Sequence, residues 1–299
     1  MIVLLACSGF ALSGCGGQGP DRASGGPTVV ATTPQVADFV RRVAGGGVVV
    51  HQVVRAGVDP HEFEPSPADQ EAVRRSRVIF ESGLALESWV ADTVRSAGAK
   101  GPVVDTSAGA RLRQASEEGQ EVDPHIWHDP TNAKVMVTNI SRGLAAALPD
   151  QAAGFASRAA AYSAELDGLD AEVRAQIGSI PEAQRRLVTN HDALGYYADR
   201  YGITVVGSVI PSFDSQAELS SRQLAELVAT IKAQGVKAIF AESSLPPKTA
   251  ETVARDAGVT IVAGEDALYA DSMGPPGSEG DTYLKMVRHN TRQLVTHLG

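Results

Sequence analysis

Between Pro149 and Pro181 lies a stretch with no proline inside it, Asp150 to Ile180. Phe155, Tyr162, Leu166, Leu169 and Val173 recur along it at helical spacing. As one helix it would be roughly 40 Å long, beyond an ordinary globular helix. At mid-chain such a helix reads as a connector packed along two domains. The competing reading is a helical hairpin broken at Gly168. The remaining sequence has to fit a chain divided here, and 299 residues suffice for two domains of moderate size.

Both flanks alternate strand and helix patterns. Thr28 to Thr32 reads as a short buried strand. Pro34 to Val43 reads as a helix capped by Thr33 and ended by Gly45-Gly46-Gly47. Val48 to Val54 is a second strand, Ser66 caps a helix opening at Pro67, and Arg77 to Glu81 is a third strand. Leu84 to Ala97 is predicted as a helix, Pro102 to Asp105 as a strand and Asn132 to Leu148 as a helix. Beyond the divide, strands fall at Arg186 to Asn190, Ile203 to Ile210, Val236 to Glu242 and Val259 to Ala263. Helices fall at Ala193 to Tyr201, Gln216 to Gln234, Pro247 to Ala257 and Gly280 to Leu298. This order implies an α/β fold: two lobes, each a parallel sheet flanked by helices, joined by one long rigid helix. The expected divisions are 1–27 for a leader and tether, 28–148 for the N-terminal lobe, 149–181 for the linker helix and 182–299 for the C-terminal lobe.

The chemistry concentrates in Asp123-Pro124-His125-Ile126-Trp127-His128-Asp129-Pro130, with two imidazoles and two carboxylates in eight residues. Asp59-Pro60-His61 repeats its first three residues. Nitrogen and oxygen donors this close read as a metal site, although His-x-x-His alone is weak evidence. The two cysteines, Cys7 and Cys15, are both N-terminal, so a metal must be held by His, Asp, Glu and water. Ligands of open α/β sheets bind beyond the carboxyl ends of the strands. His61 follows strand two, His125 follows strand four, His191 follows strand five and Asp271 follows the last strand. Two come from each lobe, so they can meet in the cleft between lobes as three imidazoles and one carboxylate, a set suited to Zn²⁺ and tolerable for Mn²⁺. Asp266 competes with Asp271 as the fourth ligand, and His191 reads alternatively as a catalytic base. Asp192 and Glu242 are candidates to orient ligand imidazoles, or serve as a cap and a solvated residue. Asp129 before Pro130 reads as a helix cap, and His128 is open. His51 reads as structural, and His289 and His297 as packing or surface residues on the last helix.

Ile2 to Leu12 is apolar but too short for a permanent span, and reads as the core of a secretory signal. Leu12-Ser13-Gly14-Cys15 resembles the lipobox of bacterial lipoproteins, in which the cysteine, here Cys15, is lipidated. Gly16 to Pro27, rich in Gly, Ser and Pro, reads as a flexible tether. Net charge −9, without a basic patch and with few aromatics, argues against nucleic acid as a partner.

Taken with Thr189-Asn190-His191-Asp192-Ala193-Leu194-Gly195-Tyr196, Glu242-Ser243-Ser244, Tyr269-Ala270-Asp271-Ser272-Met273-Gly274 and Thr282 to Asn290, these motifs run in order through nearly the whole mature chain. The chain resembles the metal-receptor substrate-binding proteins of ABC importers for zinc and manganese. The resemblance implies two lobes bridged by a long helix and one metal in the cleft, held at the positions of His61, His125, His191 and Asp271. It implies a lipid-anchored monomer on the extracytoplasmic face of the cell membrane, with an ABC permease and its ATPase as partners and Zn²⁺ or Mn²⁺ as the transported ligand. Histidine at position 191 tilts the expectation towards Zn²⁺. The acidic loop at 107–122, with Glu117, Glu118 and Glu121, lacks the histidines of many dedicated zinc carriers. The expectation is a binding protein with no catalytic residues. The alternatives are a zinc hydrolase using Glu62 or Glu242 as base, for which the helical His-Glu-x-x-His pair is missing, and a surface adhesin lipoprotein stabilised by metal.

Overall fold

A computed structural model describes residues 25–113, 122–213, 215 and 220–299. The leader, Cys15 and the three glutamates of the acidic loop lie outside the described residues. Among the described residues no helix is long and apolar enough to cross a membrane.

The first half holds β1 (Thr28–Ala31), α1 (Pro34–Ala44), β2 (Val49–Gln52), α2 (Pro67–Arg75), β3 (Ile79–Glu81), α3 (Val90–Ala97), β4 (Val103–Asp105) and α4 (Pro130–Ala147). Its strands are all parallel, in the order β2-β1-β3-β4, with Val29 opposite Val50 and Ile79 opposite Val103. A long helix, α5 (Ala152–Gly178), follows. The second half then runs β5 (Arg186–His191), α6 (Gly195–Tyr201), β6 (Thr204–Ile210), α7 (Ser221–Gln234), β7 (Ala238–Phe240), α8 (Lys248–Ala257), β8 (Thr260–Val262) and α9 (Tyr283–Leu298). Its sheet repeats the first one's order, β6-β5-β7-β8, again all parallel.

Local chemistry accounts for most of the helix starts. Thr33 caps α1 and Ser66 caps α2, the latter in a reciprocal capping box with Asp69. Asp129 accepts from the Thr131 N–H at the head of α4, with Pro130 in its first turn. One predicted helix is shorter than its pattern. The segment expected to be helical from Leu84 starts only at Val90, because Leu84 and Ala85 have φ of 56° and 60°. Two adjacent left-handed residues cost about 1–2 kcal/mol each. The turn is held by Glu87, whose buried carboxylate accepts from Thr32 Oγ1 (2.5 Å), Ser82 N (2.8 Å) and Gly83 N (3.3 Å). The remaining differences are shifts at element ends: α6 starts at Gly195, α9 at Tyr283, and α7 is described from Ser221, behind the cap Ser220.

Helix α5 is one unbroken element of 27 residues, about 40 Å long. It does not fold back at Gly168, where space around the α-carbon is open. Phe155, Tyr162, Leu166, Leu169, Val173 and Ile177 form its buried stripe. That stripe packs on α1 and α4 from the first half and on α6 and α9 from the second. A single apolar cluster therefore takes in Phe39 of α1 and Phe80 of β3 from the first half, the α5 stripe, and Leu187 of β5 and Phe240 of β7 from the second. Polar ties cross as well: the Tyr283 N–H donates to Asp38 at 3.1 Å, and the Tyr283 hydroxyl donates to the Trp127 carbonyl at 2.6 Å. Leu166 is fully buried at the middle of the stripe. Leu166→Ala is expected to lower the stability of the metal-free protein by about 2–5 kcal/mol. Chemical denaturation should show an earlier midpoint at unchanged slope; a midpoint equal to wild type would mean the stripe carries no load.

Candidate metal centre

All four of the sequence-predicted donors come together. His61 lies in the loop after β2, His125 in the long connection after β4, His191 is the last residue of β5, and Asp271 lies in the loop after β8. One potential ligand atom from each lies within 4.8 Å of the others. His125, His191 and Asp271 are buried, and the His61 side chain is 10% exposed. A cavity of about 290 Å³, bordered by Glu62, Leu84, Pro124 and Phe213, opens over His61 and gives the site its mouth.

The distances are those of donors around one ion. His61 Nε2 lies 3.4 Å from Asp271 Oδ2, His125 Nε2 lies 3.1 Å from Asp271 Oδ1, and His191 Nδ1 lies 3.5 Å from Asp271 Oδ2. His61 Nε2 and His125 Nε2 are 3.4 Å apart. Two donors each about 2.1 Å from a metal are separated by about 3.0–3.4 Å at right or tetrahedral angles. His191 Nδ1 and both Asp271 carboxylate oxygens are buried with no hydrogen-bond partner. Buried donors and acceptors facing one another so closely need protons or a cation between them; a divalent cation serves all of them together.

Each donor is aimed by a neighbour. In both Asp-Pro-His segments the aspartate accepts the backbone N–H of the histidine two residues on, Asp59 from His61 at 2.9 Å and Asp123 from His125 at 3.0 Å. The echo in the sequence is thus a repeated Asx turn that presents the imidazole. Only Asp123 also takes the ring, accepting from His125 Nδ1 at 2.8 Å. That bond places a proton on Nδ1 and leaves Nε2 for the ion. Asp123 is itself fully buried, with Arg113 Nη1 3.3 Å away and the Tyr196 hydroxyl bonded to its carbonyl. The signal in the sequence that points to Asp123 is the Asp-Pro-His repeat, which marks it as a carboxylate of the metal motif without separating a donor from an orienting residue. Asp59 is held from the second half, by Ser215 Oγ at 2.5 Å, and Trp89 Nε1 donates to the Pro60 carbonyl at 3.0 Å. The Asp271 loop is held by first-half residues that the sequence reading missed. Gln35 Nε2 donates to the Asp271 carbonyl (3.1 Å) and Trp127 Nε1 to the Ala270 carbonyl (3.2 Å). Asp123→Asn is expected to weaken metal binding by about 10–100-fold. Chelator-competition titration checks this, and an unchanged affinity would remove Asp123 from the site.

The other candidates stand apart from the cluster. Ile126–His128 forms a single 3-10 turn that points His128 away from the four; it is buried beside Trp127 with Nε2 unpartnered. Burial, with the positive charge on His125 beside it, pushes the His128 imidazole down to about 3, so it is neutral. Asp266 is exposed and accepts from Gln293 Nε2, so Asp271 rather than Asp266 faces the histidines. Asp192 lies by Asp123 and Arg113. Glu242, by contrast, faces one of the candidate imidazoles, with Oε1 3.3 Å from His191 Nδ1. Glu62 is exposed at the mouth. His51 pairs with Asp69 at 2.7 Å, His289 bonds the Ala267 carbonyl at 2.9 Å, and His297 packs edge-on to Phe240.

In the metal-free site the carboxylates keep imidazoles charged. Burial disfavours charge on His125, but Asp271 and Asp123 outweigh it and hold the ring up to about 9. Burial likewise opposes charge on His191, and Asp271 and Glu242 lift it to about 10. Asp271 responds in the opposite direction: burial alone would raise it, and His191 and His125 hold it well below the usual carboxylate range.

The family model for zinc-uptake complex component A, periplasmic, matches residues 29–297 of the chain. The zinc-binding protein TroA of Treponema pallidum is 36% identical over 282 residues, covering 92% of this chain and 90% of that protein. The manganese-binding lipoprotein MntA of Bacillus subtilis is 33% identical over 296 residues, covering 97% of this chain and 95% of its own length. The solved structure of the Treponema pallidum periplasmic zinc-binding protein superposes with a TM-score of 0.85 at 33% identity, over 92% of this chain and all of that one. A manganese-bound periplasmic metal-binding protein from candidatus Liberibacter asiaticus superposes with a TM-score of 0.81 at 25% identity, over 91% of this chain and all of its own.

Proposed function

Because this chain belongs to the family of periplasmic zinc-uptake complex component A proteins, we propose that it is the extracytoplasmic receptor of an ABC importer. It takes one Zn²⁺ or Mn²⁺ ion between its two halves and passes it to a membrane permease driven by an ATPase. The observation that carries this reading is the convergence of His61, His125, His191 and Asp271 around buried nitrogen and oxygen atoms that have no other partner. Three imidazoles and a carboxylate suit Zn²⁺, and a second oxygen from Asp271 suits the larger Mn²⁺. Relatives named for zinc and for manganese accord with that breadth.

The residues divide the work. His61, at the mouth, meets the ion first; Asp271 brings it in as the one carboxylate among the four; His125 and His191 close the sphere from the buried side. Four protein donors suffice for a closed Zn²⁺ site, which supports binding rather than hydrolysis. Lipidation of Cys15 would tether the receptor as a monomer at the outer face of the membrane, in keeping with relatives named as lipoproteins.

The test is metal content and chelator-competition affinity of the purified mature chain, before and after stripping, together with metal uptake by cells lacking the gene. One tightly held Zn²⁺ or Mn²⁺ per chain and reduced uptake are expected. A chain that holds neither ion tightly ends the proposal, and tight binding without any change in uptake makes the metal structural.

A further inference from the structure

Three successive residues beside the mouth of the site have positive φ: Gly83 at 95°, Leu84 at 56° and Ala85 at 60°. Glycine adopts this freely, and a Cβ at Gly83 would overlap the Asp105 carboxylate. Leucine and alanine are strained there. Among the described residues they are the only ones other than glycine with positive φ. Such strain persists only where surrounding contacts over-determine it, and it collects at ligand sites. Here Leu84, Ala85 and Leu86 border the cavity over His61.

The same segment holds the His61 loop directly. Trp89 Nε1 donates to the Pro60 carbonyl at 3.0 Å, one residue before His61. The Trp89 ring packs on Phe63, two residues after it, with centroids 5.3 Å apart. Glu87 fixes where Trp89 stands. Its buried side chain accepts from Ser82 N and Gly83 N within the turn, and from Thr32 Oγ1 just beyond β1, an interior strand of the first sheet. A line of contacts thus runs from the sheet through Glu87 and Trp89 to the loop of His61. None of the Glu87 hydrogen bonds goes to one of the four donors. His61 depends on this line more than His125 does, because His125 has Asp123 on its ring and complete burial.

Building on the receptor reading above, we propose that Glu87 is a positioning residue for His61: it locks the strained turn so that Trp89 pins the Pro60 carbonyl and Leu84 and Ala85 wall the open side of His61, and it thereby sets how slowly the captured ion leaves. The ion departs past His61, the donor at the mouth. Without Glu87 the turn relaxes towards ordinary φ, draws Trp89 off Pro60 and opens the wall. Capture, timed by loss of water from the ion, is little affected. The residue acts on residence time rather than on the donor set.

The experiment loads the purified mature chain with Zn²⁺ or Mn²⁺ and times transfer of the ion to excess chelator by stopped flow. Wild type is compared with Glu87→Gln, Trp89→Phe, the double variant and Leu166→Ala. Glu87→Gln removes the charge that holds the turn; Trp89→Phe keeps an aromatic ring against Phe63 and deletes only the N–H to Pro60. Each should release the ion roughly tenfold faster, with the capture rate changed by less than about threefold. The double variant should release no faster than Glu87→Gln, because the two residues act along one line. Leu166→Ala destabilises the fold far from the mouth and should release at the wild-type rate. A wild-type release rate in either single variant, multiplied effects in the double variant, or equal acceleration by Leu166→Ala overturns the assignment. Trp89→Phe decides alone if Glu87→Gln fails to fold. Wild type that holds neither ion overturns the receptor reading itself; wild type that holds one, with release unmoved by either variant, overturns only the role of Glu87.

Discussion

Asp271→Asn is expected to weaken binding of both Zn²⁺ and Mn²⁺ by about a hundredfold to several thousandfold. The side chain is fully buried and lies within 3.5 Å of all three imidazoles. Asparagine fits the same space but removes one negative charge from the wall around a divalent ion. Removing one partner of a buried charge pair costs about 3–5 kcal/mol, and about 1.4 kcal/mol is tenfold in Kd. The fold should survive, because the loop is held through backbone carbonyls by Gln35 and Trp127 rather than through the carboxylate. The measurement is chelator competition together with a thermal scan. The melting-temperature rise that metal gives wild type should be absent from Asp271→Asn at the same metal concentration. Retention of that rise would mean the ion is held elsewhere.

Protons should compete with the metal, two for each ion. His125 and His191, at about 9 and about 10, are charged in the metal-free protein at neutral pH, and each must lose its proton to bind the ion. Below about pH 9, log Kd should therefore rise by about two for each unit fall in pH, a roughly hundredfold weakening. Calorimetry in buffers of different ionisation heat should count about two protons released at pH 7. The metal-free fold follows the opposite course. Both groups are raised above their ordinary 6.5. Their contribution to stability is thus complete below about 6.5 and is lost as pH rises through about 9 and 10. Both trends come from the same two protons, seen once against the metal-bound state and once against the unfolded chain. Metal affinity independent of pH between 6 and 8 would show that the imidazoles are already neutral and that the carboxylates do not hold them charged.

Much of this architecture is legible in residue order. Prolines at 34, 67 and 130 behind Thr33, Ser66 and Asp129 mark helix starts by local hydrogen bonding. The strand–helix alternation also predicts which loops lie at the same sheet ends, and so which donors can meet. What escaped depends on contacts between distant segments. The turn at Leu84 and Ala85 exists because Glu87 folds back on Thr32 and Ser82, and no local pattern announces that. Whether Asp266 or Asp271 faces the histidines is decided by Gln35 and Trp127, more than 140 residues away in the chain for Trp127 and more than 230 for Gln35. His128 and His125 look alike in the sequence, and one 3-10 turn separates a buried neutral ring from a candidate ligand. Glu242 could be suspected as an orienting residue, but its unpartnered oxygen beside His191 appears only in three dimensions.

The stripe of α5 and the core it shares with both sheets have a kinetic consequence. A receptor whose halves swing on a loose hinge can spend closure energy on grip and recover it on opening. Here the halves are joined through one apolar interior, so the donors stand preassembled. Arrival of the ion is then timed by the stripping of its own water, and departure by the breaking of individual metal–donor bonds. A transporter drawing cargo from such a socket gains most by tugging on the least embedded donor. That is His61, whose loop is moored by Ser215 and Trp89 through hydrogen bonds at the rim.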